Sequence, residues 1–192
     1  LPGGFVQMKE SLDDAAERVL RAKARLAGLF LEQLYTFGEP ARDPRTRVIA
    51  VAYYALCAPD RFVVVPSAEA EVARARITVP WEGETGGPIE VAGADGRELP
   101  LAFDHAEILG MAVKRLRGKL DYAPIGFQLL GDAFTLLELQ KVHETVLGRP
   151  LNKDSFRRRM LASGQLEATG RMQDGVDHRP AELYRFLRRS AV

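Results

Sequence analysis

Thr135-Leu136-Leu137-Glu138-Leu139-Gln140-Lys141-Val142-His143-Glu144-Thr145-Val146-Leu147-Gly148-Arg149-Pro150-Leu151-Asn152-Lys153-Asp154-Ser155-Phe156-Arg157-Arg158-Arg159-Met160 is the stretch that decides the second half of the chain. Thr135 and Glu138 have the spacing of a capping box: the Thr hydroxyl accepts from the amide of residue 138 and the Glu carboxylate reaches back to the Thr amide. A helix therefore starts after Thr135. Gly148 stops it with a left-handed cap, Pro150 prevents its continuation, and Asn152 caps a second helix. The turn between them is about four residues, which is helix-turn-helix grammar.

On that second helix Phe156 and Met160 are four apart and point together into a core, so Ser155, Arg157 and Arg158 fall on the flanks and the opposite side. Arginine suits contact with a duplex because its planar fork pairs with guanine edges or clamps phosphates, whereas a lysine or a helix N-terminus attracts phosphate less specifically. Arg158 and Ser155 are assigned to base edges, and Lys153, Arg157 and Arg159 to phosphates. Thr135 and Asn152, at the two helix starts, complete the helical part of the DNA-binding set. Gly170-Arg171-Met172-Gln173-Asp174-Gly175-Val176-Asp177-His178-Arg179-Pro180 reads as a hairpin tip of turn formers, a wing whose His178 and Arg179 would touch backbone or minor groove. Two plainer readings stay open: arginines on a solvated face, and a small domain whose basic end binds an acidic protein.

Working outward, His105 to Leu120 is a helix, with Ile108, Leu109, Ala112, Val113, Leu116 and Leu120 on one side and Lys114, Arg115, Arg117 and Lys119 elsewhere. Ser11 to Ala27 carries Leu12, Ala15, Ala16, Val19, Leu20 and Ala24 at helical spacing. Phe30 to Phe37 and Val48 to Cys57 read as strands joined by a turn-rich loop, with further strands at Arg61 to Val65 and Arg74 to Val79. Trp81 to Asp95, rich in Gly and Glu, reads as irregular or hairpin-bearing. The partition expected is an α/β sandwich over residues 1–103, a connecting helix over 104–122, and a winged helix-turn-helix over 123–192.

Apolar residues at 46% and charged residues at 28% are ordinary for a globular protein. No apolar run approaches the roughly 18 residues that cross a bilayer, so no membrane partner is expected. The single cysteine, Cys57, lies in an apolar run and reads as a buried thiol. The lack of a disulfide framework fits a reducing cytoplasm. The net charge of +1 hides an asymmetry: residues 1–103 hold 12 basic against 15 acidic side chains, and residues 104–192 hold 15 against 11. A basic rear on an acidic front favours a polyanion partner for the second part. The chain opens at Leu1 without an initiator Met, and the expectation is that a segment precedes it.

The amphipathic helix near the front has a second pattern on it. Nudix enzymes carry G-x5-E-x7-R-E-U-x-E-E-x-G-U, U being a bulky aliphatic; carboxylates one turn apart share a face and hold the metal ions that neutralise a pyrophosphate and activate water. Here Gly4, Glu10 and Arg18 match in register. The metal positions do not: Val19, Ala22 and Lys23 stand where the carboxylates belong, and Arg25 where the later Gly belongs. A cation at position 23 repels Mg²⁺, so no metal site and no ordinary Nudix hydrolysis are expected. Glu10 and Arg18 could pair to fix the loop, and Glu17 is a conceivable substitute ligand. The match could also be coincidence on an ordinary amphipathic helix.

The stretches Leu31 to Gly38, Asp43-Pro44-Arg45, Arg47 to Tyr54, Phe103 to Leu109, Phe134 to Gln140, Leu147-Gly148-Arg149, Phe156-Arg157-Arg158 and His178 to Phe186 together resemble the NrtR-like family, Nudix-related regulators of NAD metabolism. The resemblance covers nearly the whole chain except Ser67 to Leu99. It implies a homodimeric repressor on a near-palindromic operator in double-stranded DNA, released when the Nudix domain binds ADP-ribose or a related nucleotide, with no cofactor besides that effector. It also implies one or two strands ahead of the box. Gly4, Glu10, Arg18 and Arg45 are the effector-binding candidates, Arg45 from its place in the Asp43-Pro44-Arg45 loop, where an ion pair with Asp43 competes. The resemblance further suggests that ligand in the cleft shifts the helix His105 to Leu120. The alternative is an ADP-ribose pyrophosphatase with non-standard metal ligands.

Overall fold

A computed structural model describes residues 1–58, 74–120, 126–177 and 179–187. The strand expected at Arg61 to Val65 and the wing residue His178 lie outside the described residues. The chain divides into two compact units, Leu1–Arg115 and Leu116–Val192, and the division falls inside the helix His105–Lys119.

In the first unit, the expected front helix is α1 (Leu12–Val19) running directly into a π-helical segment, Leu20–Ala24. Ser11 opens it with a capping box: its hydroxyl accepts from the Asp14 amide at 3.1 Å while the Asp14 carboxylate accepts from the Ser11 amide at 3.3 Å. The helix ends before the expected Ala27 because Arg25 is left-handed, at φ 58 and ψ 26. Strand β1 (Leu31–Phe37) pairs antiparallel with β2 (Ala50–Ala55), from Leu31 opposite Ala55 to Phe37 opposite Ala50. The register slips between Gln33 and Tyr35, so Leu34 is the extra residue of a bulge, buried at 3% exposure. Arg115 donates to its carbonyl at 3.1 Å. Burial and backbone satisfaction at the bulge thus come from different parts of the chain.

Strand β3 (Arg76–Thr78) pairs antiparallel with β4 (Glu90–Ala92), which supplies the hairpin strand expected within Trp81 to Asp95. Helix α2 (His105–Lys119) runs one residue short of the expected end. Its start is tied to the loop after β1, because Arg42 donates to both Asp104 oxygens, at 2.7 and 2.8 Å. Gly110 on α2 lies against the Gly87 carbonyl, where any Cβ would collide with backbone. Cys57 is half-buried rather than buried, since it lies just past the end of β2 where the strand's packing stops.

In the second unit, α3 (Gly126–Leu129), β5 (Phe134–Thr135), α4 (Leu136–Leu147), α5 (Lys153–Ala162), β6 (Leu166–Met172) and β7 (Glu182–Phe186) follow in order. The three strands form one antiparallel sheet in the order β5-β7-β6. Phe134, Leu136, Leu139, Phe156, Met160 and Tyr184 make its core, with Leu130, Leu151, Leu166 and Phe186 packed around them. Leu139 at 1% and Phe134 at 2% exposure are the deepest. Burying side chains of this kind stabilises by roughly 1.5–3 kcal/mol each.

Arg117, expected on the polar side of its helix, is buried instead. Its Nε donates to the Val146 carbonyl at 2.9 Å, so a cation caps the negative end of α4. Burial pulls the guanidinium below its ordinary pKa.

Candidate functional site

The helix-turn-helix is assembled from local bonds. Thr135 Oγ1 accepts from the Glu138 amide at 3.1 Å, and Glu138 Oε2 accepts from the Thr135 amide at 2.7 Å. Gly148 closes α4 at φ 70 and ψ 20, donating to the Glu144 carbonyl at 2.8 Å. Asn152 Oδ1 accepts from the Ser155 amide at 3.0 Å and opens α5. A second layer holds the turn: Glu144 accepts from the Leu151 amide at 2.8 Å and from Gln140 Nε2 at 3.0 Å, while Gln140 also donates to the Leu151 carbonyl at 3.1 Å. These bonds, first to Leu151 and then to Gln140, hold the Glu144 carboxyl below its usual range.

With Phe156 and Met160 buried, the rest of α5 faces outward: Lys153, Ser155, Arg157, Arg158 and Arg159 are all exposed. Arg158 lies opposite the Phe156–Met160 stripe, and Arg157 and Arg159 flank it. The two flanks differ. The Arg157 guanidinium stands near enough to the Tyr184 hydroxyl to act on its charge, and that hydroxyl donates to Glu182 at 2.6 Å. Arg159 sits over the Phe156 ring at 5.8 Å from its centre. Thr135 is only 3% exposed, its hydroxyl spent inside the capping box, so it fixes the helix start from behind the surface.

The wing is the β6–β7 hairpin. Strand β6 extends to Met172, so the expected tip is shorter than Gly170 to Pro180. Between Ala168 and Met172 the register slips, and Gly170 takes φ 70, a conformation that costs a side-chain-bearing residue dearly. Thr169 Oγ1 donates to the Leu183 carbonyl at 2.9 Å across the slip, and Gln173 donates to the Ala181 carbonyl at 2.7 Å beyond it. Arg179 is exposed at the tip.

In the first unit the Gly4–Arg18 frame is a real loop clamp. Arg18 forks onto Glu10 at 2.6 and 2.9 Å and donates to the Phe5 carbonyl at 3.0 Å. Paired so, Glu10 titrates at about 2. A Cβ on Gly4 would stand 2.9 Å from Val19 Cγ2, so a larger residue would force Val19 or the loop to shift. Lys23 Nζ donates to the Gly3 carbonyl at 2.6 Å. Glu17 is engaged by Arg21 at 3.1 Å. The residues here do not fit a divalent metal: the helix meets the loop through an isopropyl group and an ammonium. Among the described residues no three His, Cys, Asp or Glu side chains are grouped to hold one. Arg45 is bound to Asp43 at 2.8 and 3.0 Å and lies over the Phe103 ring at 5.1 Å, so the ion pair that competed for it is present.

A Nudix-type front with a winged helix behind it defines the class: a DNA-binding regulator. Residues 126–186 match the NrtR DNA-binding winged helix domain. The chain is 35% identical over 188 residues to the ADPR responsive transcriptional repressor NtrR of Acinetobacter baylyi, covering 97% of this chain and 68% of that one. It is similar to Shewanella oneidensis NrtR complexed with a 27mer DNA, at 32% identity and TM-score 0.68, over 96% of this chain and 78% of that one. It is also similar to a MutT/nudix family protein from Enterococcus faecalis, at 27% identity and TM-score 0.71, over 96% and 73%. The chain belongs to the NrtR family of transcriptional repressors.

Sequence reasoning missed the Gln140–Glu144 staple, the Tyr184–Arg157 contact and the buried Arg117. The first had a visible signal, an amide and a carboxylate four apart before a glycine cap. The other two join segments distant in sequence.

Proposed function

We propose that the chain is a repressor that binds its operator through α5 and the wing and senses ADP-ribose through its Nudix-type unit. The observation that carries it is the outward presentation of Ser155 and Arg158 opposite the buried Phe156–Met160 stripe. Arg158 and Ser155 read base edges; Lys153, Arg157 and Arg159 hold phosphates, with Asn152 presenting the amides at the helix start. Thr135 acts as a positioning residue. Arg179, with His178 beside it in sequence, extends the contact from the wing. A homodimer on a near-palindromic operator places two such helices in successive grooves. Domain boundaries at 103 and 122 leave α2 as the connector, and the protein works in the cytoplasm.

The relatives' names support both halves of this reading. Gly4, Glu10 and Arg18 shape the loop against which the effector lies, and Arg45 flanks it. An effector releases DNA only if it binds the two arrangements unequally, by about 1–3 kcal/mol of coupling. Hydrolysis is not part of the function, because Val19, Ala22 and Lys23 replace the carboxylates and Glu10 and Glu17 are committed to arginines. Gel shifts with operator DNA test the proposal: ADP-ribose lowers the bound fraction, and indifference to every NAD-linked nucleotide overturns it. Turnover of ADP-ribose with Mg²⁺ or Mn²⁺, lost on replacing Glu10 or Glu17, would favour a pyrophosphatase.

A further inference from the structure

The disagreement between the box and a divalent metal has a positive side. Three features meet where the loop closes on the helix, and the Glu17–Arg21 pair lies further round the same helix. The Gly3–Gly4 backbone closes on the helix face that carries positions 19 and 23, as the Gly4–Val19 approach and the Lys23–Gly3 bond both require. The Glu10 carboxylate, which would otherwise repel an anion, is neutralised by a two-point Arg18 fork. Glu17 is likewise matched by Arg21. The Lys23 ammonium is held at a neutral carbonyl, and among the described residues no carboxylate is paired with it, so its charge and its remaining N–H donors face other oxygens.

We infer that Lys23 is a built-in cation that binds the pyrophosphate of a nucleoside diphosphate ester, taking over the charge-neutralising role that a metal ion has in the hydrolases. A tethered ammonium supplies positive charge beside the loop but activates no water, so it retains recognition without hydrolysis. Its flexible stem would ordinarily lose entropy on fixing a ligand, and the bond to Gly3 has already restricted it. The inference rests on the effector reading above, and it adds that binding of the nucleotide needs no divalent ion.

Calorimetric titration of the full chain with ADP-ribose, in EDTA and in Mg²⁺, tests this alongside Lys23→Gln and Lys23→Arg, with thermal melting to verify that each variant is folded. The expected result is an affinity for the unaltered protein that agrees within about two-fold in the two buffers. Lys23→Gln weakens it about ten-fold or more in both, and Lys23→Arg keeps most of it. Binding that needs Mg²⁺, or that is unchanged in Lys23→Gln, overturns the role of Lys23 while leaving the effector reading intact. No binding by the unaltered protein in either buffer removes the effector reading, and this inference with it.

Discussion

The loop-and-helix of the first unit and the helix-turn-helix of the second are built from the same local devices and used to opposite ends. Each has a capping box at its helix start, Ser11 with Asp14 in one and Thr135 with Glu138 in the other. Each ends a helix on a left-handed residue, Arg25 or Gly148. In the second unit the exposed side chains agree with the frame: three arginines stand outward on α5, the face proposed to meet a duplex. In the first the frame is retained while the side chains that would give it metal chemistry are replaced. Backbone geometry and chemical function are therefore separable here, and the frame alone does not tell which activity remains.

The largest way to break the comparison is to remove the core beneath one frame. Leu139→Ala leaves a cavity under α4 and is expected to cost about 2–5 kcal/mol, read as an earlier denaturant midpoint with unchanged slope. A loss below about 1 kcal/mol would mean that Leu139 is not the keystone its burial indicates. Next in size is Arg158→Ala, which alters chemistry and spares the frame. Operator affinity should fall by roughly 1–3 kcal/mol in gel shifts, while the melting midpoint changes little. The same loss on every duplex sequence would reassign Arg158 from base edges to phosphate.

What could be read before folding was the part written in neighbouring residues. Caps, glycine stops and the Phe156–Met160 stripe act over three or four positions, so Thr135, Gly148 and Asn152 announced both helices. Arg42 and Asp104, 62 positions apart, form a pair that no local pattern contains. Arg117 was misplaced for the same reason, since a cation on a helix usually faces water and the carbonyl of Val146, 29 positions on, is a group that holds this one inward. Periodicity saw one helix from Ser11 to Ala27. It could not see that the last turn widens into a π segment and stops at a left-handed arginine.

The clamp at the front has a pH signature of its own. Glu10 drops from an ordinary value of 4.5 to about 2 because of Arg18 and the Gln7 amide. A lowered carboxylate stabilises the folded state fully above its unfolded value and loses that contribution as pH falls through the folded one. The stability difference between the unaltered protein and Glu10→Gln should hence be constant near neutrality and shrink between about pH 5 and pH 2. Melting curves across that range read it, and a difference that grows with acidification would contradict the pair.

The two left-handed caps give the smallest effect and the sharpest comparison. Gly148 at φ 70 pays no steric cost, whereas Arg25 at φ 58 holds its Cβ against backbone in a region that costs an L-residue roughly 1–2 kcal/mol. Glycine would relieve that strain but gain freedom in the unfolded chain, which returns up to about 1 kcal/mol. Arg25→Gly is thus expected to stabilise by about 0.5–1 kcal/mol at most, and Gly148→Ala to destabilise by about 1 kcal/mol or more. The second penalty is enlarged because the new Cβ would stand 3.3 Å from Arg117 Nη2. Opposite signs from these two opposite exchanges, glycine put in at one cap and taken out at the other, measured by denaturant midpoints, follow only if both helices end in the left-handed conformation. Equal signs would mean that one of the two caps is not formed in solution, and with it that the two frames are less alike than their sequences suggest.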